Sequence, residues 1–334
     1  MRHFVVVGIL IVILTVLTYV GLDAAGLMPV AASAQAGPID WLWDLELMFI
    51  SFLSALIIVP MAYSLIVFRR KKGDTEDAQH VEGNTNLEIT WTVVPLFIVM
   101  LFAYLGAENL SAIRRVDPDA MVVKVTGIQW SWKYEYPAYG VTTTELHVPE
   151  GKQILLQMTS NDVIHSFWVP EFRVKQDLVP GRTTELRITP TIVGDYVVRC
   201  AELCGTSHAF MEKPVMVTSQ SDFDVWMTEQ VALAAEASQT PEGRGKALVA
   251  ANGCAACHSI DGTKGIGPSW SGLAGEEVEL SGGANVVADD AYLAESIKAP
   301  QAKIVAGFEA QQMVLFPFTD EQIADIVAYI KTLK

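Results

Sequence analysis

A chain of 334 residues with a hydrophobic fraction of 51% and a mean hydropathy of +0.32 is too apolar for an ordinary soluble protein and points to membrane spans. Its length accommodates about two or three domains. A net charge of −15 argues against nucleic acid as a partner, because a phosphate backbone needs a basic face; it is compatible with a basic partner or with a plain solvated surface.

Three apolar runs open the chain: Phe4 to Gly21, Trp41 to Phe68, and Ile89 to Leu105. The second and third approach the roughly 20 residues that a helix needs to cross a bilayer. The second ends in Arg69-Arg70-Lys71-Lys72, and an excess of Lys and Arg stays in the cytoplasm. The loop up to about Asn86 is therefore expected inside, and everything after about Arg114 outside. Arg114 and Arg115 oppose this scheme, but they are outnumbered by the cluster. The first run, with its charged start and Ala34-Gln35-Ala36 before Gly37, has the marks of a signal peptide. The stretch between the run and that site is long for a cleavage region, which points instead to a retained helix. Either reading delivers Gly37 to the outside.

From Met121 the pattern changes to short alternating segments: Met121 to Thr126, Thr144 to Val148, Gln153 to Met158, Thr184 to Ile188 and Asp195 to Cys200. Turn signals at Pro149-Glu150-Gly151 and Pro180-Gly181 separate them. Short, spaced strands with such breaks predict an antiparallel sandwich or barrel.

The last of these segments runs into Cys200-Ala-Glu-Leu-Cys204-Gly-Thr-Ser-His208-Ala-Phe-Met211. Two thiolates, an imidazole and a thioether suit copper better than magnesium, calcium or a hydrolytic zinc site. An upstream imidazole is needed to close such a site. His147 sits inside an alternating strand, whereas His165 lies between two apolar runs and is the better choice. Two cysteines in one loop exceed what a mononuclear blue-copper centre uses, and bridging two coppers is their natural role.

A second motif, Cys254-Ala-Ala-Cys257-His258, is a c-type haem attachment signature. Both thiols can form thioethers, and His258 is the proximal iron ligand. After His258 there is no further His and only one Met, so Met313 is the sixth ligand by elimination. The two motifs use all four cysteines. Two local disulfides would leave the matching His and Met positions unexplained. The closing segment from Asp320 to Leu333 reads as a helix, with Thr319 as cap and Ile323, Ile326, Val327 and Ile330 on one buried face.

The segment from about Trp41 to Phe223 resembles subunit II of haem–copper cytochrome c oxidases. The resemblance is carried, in order, by Asn86-Leu-Glu-Ile-Thr-Trp-Thr-Val-Val-Pro95, Gln129-Trp-Ser-Trp-Lys-Tyr-Glu-Tyr136, Asp162-Val-Ile-His-Ser-Phe167 and the Cys200 to Met211 motif. It implies a dinuclear CuA centre, with Cys200 and Cys204 bridging, His165 and His208 capping, Met211 as a weak ligand and Glu202 ligating through its backbone carbonyl. It also implies that the Glu202 carboxylate faces a Mg²⁺ shared with subunit I, that Trp130 is the electron-entry residue and that Glu88 lies at the mouth of a proton channel. Ser131 departs from the family, where an aromatic residue is common. The C-terminal part resembles small class I cytochromes c through the haem motif, Gly265-Ile-Gly-Pro-Ser-Trp270, Met313 and the closing helix, with Pro268 orienting His258; Val314 departs from the Pro common there.

The expected fold class is a multidomain membrane protein. Residues 1–36 form an N-terminal helix or signal segment, 37–115 a transmembrane α-helical hairpin, and 116–222 an all-β cupredoxin-like Greek-key barrel holding CuA. A linker over 223–243 and an all-α cytochrome c domain over 244–334 follow. The resemblance implies the electron-entry subunit of a caa3-type oxidase of the prokaryotic plasma membrane, multi-pass, with both redox domains on the external, periplasmic side. Electrons would pass from haem c to CuA and on to haem a in subunit I, where O2 reduction is coupled to proton translocation. Expected partners are subunits I and III, membrane lipid, and a soluble cytochrome c, a small copper protein, or a bc1-type or alternative quinol-oxidising complex as donor. The alternatives are a CuA subunit of another haem–copper enzyme such as a nitric oxide reductase, and a membrane-anchored carrier without an oxidase partner.

Overall fold

The structure is a computed structural model. It describes residues 1–334 apart from Lys71, Asp74, Glu76, Ala78, Gln79, Val81, Gln311 and Gln312. Lys71 of the basic cluster therefore lies outside the described residues. The chain divides into two compact units, Met1–Val116 and Asp117–Lys334.

The first unit is helical: α1 (Arg2–Ala24), α2 (Ala36–Val67) and α3 (Thr85–Ile113). All three are long and apolar enough to cross a membrane. Continuous apolar composition suits a helix in lipid, because the backbone then satisfies its own polar groups. α1 packs along α2, whose Ala36, Ser51, Ala55 and Val59 are buried. Small side chains let two helices approach closely where no hydrophobic effect drives them together. Phe49 meets Phe102 edge to face at 5.1 Å between α2 and α3. Large apolar side chains such as Phe4, Ile57, Leu65 and Phe97 point outward, which suits a lipid surround. Asn84 caps α3 by accepting from the Leu87 amide, and Glu88 stands in its first turn.

The second unit begins with a β-sandwich. Its strands are β1 (Met121–Ile128), β2 (Ser131–Tyr136), β3 (Val141–Thr143), β4 (Leu146–Pro149), β5 (Ile154–Ser160), β6 (His165–Trp168), β7 (Lys175–Leu178), β8 (Thr184–Ile188), β9 (Gly194–Cys200) and β10 (Glu212–Thr218). They form two five-stranded sheets, ordered β3-β2-β1-β5-β8 and β4-β10-β9-β6-β7. Alternation puts Val123, Val125, Ile154, Leu156 and Met158 of the first sheet inside, with Phe167, Leu178, Val198 and Val215 of the second. Each fully buried side chain of this kind stabilises the sandwich by about 1.5–3 kcal/mol. The fold class is the cupredoxin-like one that the resemblance implies, but the sheets expected as antiparallel are mixed, since β1 pairs with β5 and β4 with β10 in parallel.

The stretch expected as a linker over 223–243 contains most of α4 (Gln220–Ala237), capped by Ser219, and the start of α5 (Pro241–Ala251). The first half of α4 packs on the barrel. Phe223 and Met227 are buried, and Trp226 stacks on His147 with ring centroids 3.9 Å apart. Apolar residues at one-turn spacing, read together with the polar face between them, explain this docking.

The remaining elements are a small hairpin of β11 (Glu277–Glu279) and β12 (Asn285–Val287), then α6 (Asp290–Lys298) and α7 (Asp320–Ile330). Their core joins Val249, Trp270, Tyr292, Leu293, Ile297, Ile323, Ile326, Val327 and Ile330. A capping box at Thr319 and Gln322 starts α7. α5 crosses α7 at Gly245, where a Cβ would lie 1.9 Å from the Asp325 carbonyl oxygen and 2.9 Å from Tyr329 Cβ. Only glycine permits that crossing. Beside it, Arg244 donates twice to the Asp325 carboxylate, at 2.7 and 2.8 Å.

Candidate metal and haem sites

The soft-ligand loop is the connection of the β9–β10 hairpin. Cys200 ends β9, and its amide donates to the Met211 carbonyl at 3.2 Å, so the two residues close the loop at its base. β6 pairs with β9 through Phe167 opposite Cys200, which brings the nearby His165 to the same end of the sandwich. Cys200 Sγ and Cys204 Sγ are 3.7 Å apart. His165 Nδ1 lies 3.9 Å from Cys200 Sγ, and the Glu202 carbonyl oxygen 3.2 Å. His208 Nδ1 lies 3.5 Å and Met211 Sδ 3.8 Å from Cys204 Sγ. His165, Cys200 and Cys204 are buried and form a cluster able to hold a metal ion. The donors are soft sulfur, imidazole and one carbonyl, a set that fits copper.

The electrostatics suit a cationic guest. Burial opposes ionisation of Cys200, but hydrogen bonding, first of all with His165, outweighs it and lowers its pKa. Burial and the neighbouring Cys200 charge push the Cys204 thiol up. Two adjacent buried thiolates repel each other, so both ionise only with positive charge between them. Burial likewise opposes charge on His165, yet the hydrogen bond to Asp162 raises its pKa. Asp162, although partly buried, is held below the usual carboxylate range by His165 and by the amides of Gln129 and Val163.

A second ring of residues fixes the first. The Asp162 carboxylate accepts from His165 Nε2 at 2.8 Å and from the Gln129 amide at 2.7 Å. Gln129 Nε2 and Trp130 Nε1 both donate to the Cys204 carbonyl, at 2.7 and 3.2 Å. Trp132 stands edge to face with His165 and Phe167. At Gly127 a Cβ would lie 2.8 Å from His165 Cδ2, so glycine makes room for the ring. Gln129, Asp162 and Gly127 were not singled out as functional by sequence reasoning. Asp162 was readable in principle, as a carboxylate three residues before a candidate ligand histidine.

The Cys254-Ala-Ala-Cys257-His258 segment forms a short 3-10 turn after α5. The His258 amide donates to the Cys254 carbonyl at 3.0 Å. His258 Nδ1 donates to the Pro268 carbonyl at 2.8 Å, which fixes the tautomer and leaves the Nε2 lone pair for iron. Trp270 stacks on His258 at 4.7 Å, and a Cβ at Gly267 would lie 2.8 Å from His258 Cε1. Burial lowers the His258 pKa and raises those of both cysteines, Cys254 to about 11. Neutral imidazole and uncharged sulfur fit thioether-linked haem rather than an open thiolate site.

Met313 is half-buried on the segment before Thr319. The Glu202 side chain is exposed on the loop although its carbonyl faces Cys200. Glu88 belongs to the helical unit.

Residues 19–107 match the family described as cytochrome c oxidase subunit II, transmembrane domain, and residues 141–220 its periplasmic domain. Residues 243–334 match cytochrome c. The cytochrome c oxidase subunit 2 of Alkalihalophilus pseudofirmus is 31% identical over 307 residues, covering 88% of this chain and 88% of that protein. The chain belongs to the cytochrome c oxidase subunit II family. The subunit 2 of Synechocystis sp. is 32% identical over 249 residues, covering 60% of this chain and 75% of its own length. The solved periplasmic domain of subunit II (CoxB) of Bradyrhizobium japonicum is 32% identical, with a TM-score of 0.33, covering 35% of this chain and 96% of that one.

As a subunit II with a cytochrome c domain, the protein is a membrane-bound component of a haem–copper oxidase, and its role is electron entry. Membership implies CuA copper and haem c, and the donor sets described above fit both. Subunit I of the oxidase is the implied partner.

Proposed function

We propose that this chain is the electron-entry subunit of a caa3-type cytochrome c oxidase. The observation that carries this reading is the convergence of His165, Cys200, the Glu202 carbonyl, Cys204, His208 and Met211 at the end of a barrel whose chain continues into a haem-attachment domain. Those residues would hold dinuclear CuA, Cys200 and Cys204 through their thiolates. Cys254 and Cys257 would hold haem c covalently, with His258 and Met313 supplying the ligands to its iron. When bound, the two centres supply one-electron transfer; the chain takes electrons from a donor outside the membrane and delivers them to haem a of subunit I.

The chain's own residues do the holding and positioning. Asp162 and Pro268 fix the two histidine rings, and buried Trp132 keeps water from the copper ligands. Trp130, hydrogen-bonded to the Cys204 carbonyl, is the entry residue for electrons. Exposed Leu203 and Phe210 beside the ligands form the face toward subunit I, where the Glu202 carboxylate reaches a shared Mg²⁺. The chain is multi-pass, both redox domains are periplasmic, and Glu88 at the start of α3 serves proton uptake. Subunit III is a further partner, and the donor is a small soluble redox protein or a quinol-oxidising complex.

Purification of the tagged chain from its own membranes tests this. The reading expects co-purification with a catalytic subunit carrying non-covalent haem, and O2 uptake from a reduced donor. Recovery of the chain with no such subunit and no O2 uptake contradicts it.

A further inference from the structure

The start of the haem-attachment turn and the start of β2, beside the copper loop, meet at two small residues. Gly253, immediately before Cys254, has φ +67, in the left-handed region that favours glycine. A Cβ on Gly253 would lie 2.6 Å from Ser131 Cβ and 3.1 Å from its Oγ, so Gly253 has no room for a side chain and Ser131 none for a bulky one. Ser131 is only 5% exposed although it opens β2 at the copper end of the barrel.

Both partners are one residue from the chemistry. Trp130, next to Ser131, donates to the Cys204 carbonyl, and a Cβ on Gly205 would lie 3.1 Å from Trp130 Cζ2. Cys254, next to Gly253, packs against the core of the haem domain. The contacts therefore run Cys254–Gly253 to Ser131–Trp130 to Cys204. The docking is supported elsewhere in the same unit, where α4 lies on the barrel through Trp226 and His147 and also meets α5.

We infer that Ser131 and Gly253 are a positioning pair, a small-on-small contact that seats the haem-attachment turn on the Trp130–Cys204 wall and so sets the rate of electron transfer within the chain. This rests on reading the two clusters as haem and copper sites. A bulky residue at 131 lifts the turn off the wall, and the haem domain stays tethered but is no longer seated. The step affected moves one electron, oxidising the haem iron and reducing the copper pair, with no bond made or broken.

The test uses the full chain in detergent, loaded with haem and copper. Ser131→Cys carries one thiol not engaged by a cofactor, and its labelling by a maleimide is compared with that of Ser281→Cys, at an exposed position. Seating predicts labelling at least about tenfold slower at 131, because the reagent must await local opening. Electron transfer after flash reduction of the haem is then compared in Ser131→Trp and Ser131→Ala. With unchanged haem and copper spectra, Ser131→Trp should slow transfer about tenfold or more as the seated geometry gives way to a merely tethered one, while Ser131→Ala retains it. Equal labelling at 131 and 281, or an unchanged rate in a spectrally intact Ser131→Trp, overturns the inference. If Ser131→Trp does not load its cofactors, the labelling comparison still decides. If the unsubstituted chain passes no electron between the two centres, the functional reading fails, while protection of Ser131→Cys still reports on the contact.

Discussion

Asp162 accepts a 2.8 Å hydrogen bond from His165 Nε2 and thereby turns Nδ1 of the same ring toward Cys200 Sγ. A carboxylate behind a ligand histidine fixes its tautomer and raises its basicity, and such partners are worth about 10–100-fold in metal affinity. Asp162→Ala should therefore weaken copper binding by about that factor, with Asp162→Asn, which keeps an acceptor, in between. Competition with a chelator of known affinity measures it. Equal affinity in all three proteins would show that the hydrogen bond is idle.

Gly245 sets the approach of α5 to α7, with no space for a methyl group against the Asp325 carbonyl. Forcing one in costs about 1–3 kcal/mol or more by overpacking. Gly245→Ala should lower the unfolding midpoint of the haem domain, followed by haem absorbance, and leave the copper spectrum unchanged. A midpoint equal to the parent protein's contradicts the tight crossing.

His147 links the barrel to α4 by stacking on Trp226, and burial lowers its pKa against the opposing pull of Glu145 and Asp195. The unfolded chain then binds the proton more readily than the folded one. The stabilisation is whole above the unfolded value of about 6.5 and is lost as pH falls through that value toward the lowered one. Thermal unfolding between pH 7.5 and 5 should show a loss of stability that His147→Phe removes in part. An identical pH slope in both proteins rules out this site as its source.

Leu203 and Phe210 are 78% and 82% exposed beside the proposed copper ligands. Apolar side chains left open next to a functional loop mark a contact surface. Replacing both with Asp should reduce recovery of subunit I with the tagged chain, while the copper content of the chain stays unchanged. Full recovery of the partner would place the interface elsewhere.

Much of this was legible in the sequence, for identifiable reasons. Motif spacing within a single loop put Cys200, Cys204, His208 and Met211 in one place, because a hairpin connection cannot carry them apart. Long apolar runs announced α1 to α3, and Thr319 with its following periodicity announced α7. Strands with clean alternation, such as β5 and β9, were readable. β3 and β7 were not, since three or four residues are too few to display a period. The region taken as a linker hid the first half of α4, whose apolar face makes sense only against Tyr136 and His147 on the barrel. Contacts between residues distant in sequence were out of reach. Neither Gly253 on Ser131 nor Gln129 on Cys204 leaves a local pattern, because each partner is shaped by a surface that the other part of the chain supplies.

The central claim is that one chain carries a dinuclear copper site and a covalently attached haem. Quantitative metal analysis of the purified full chain, combined with extraction of haem into acidic solvent, tests it most directly. The account predicts a copper-to-haem ratio of about two, because the Cys200–Cys204 pair would hold two metals, with the haem retained by the protein after extraction. A ratio of about one, or haem that leaves with the solvent, would contradict it.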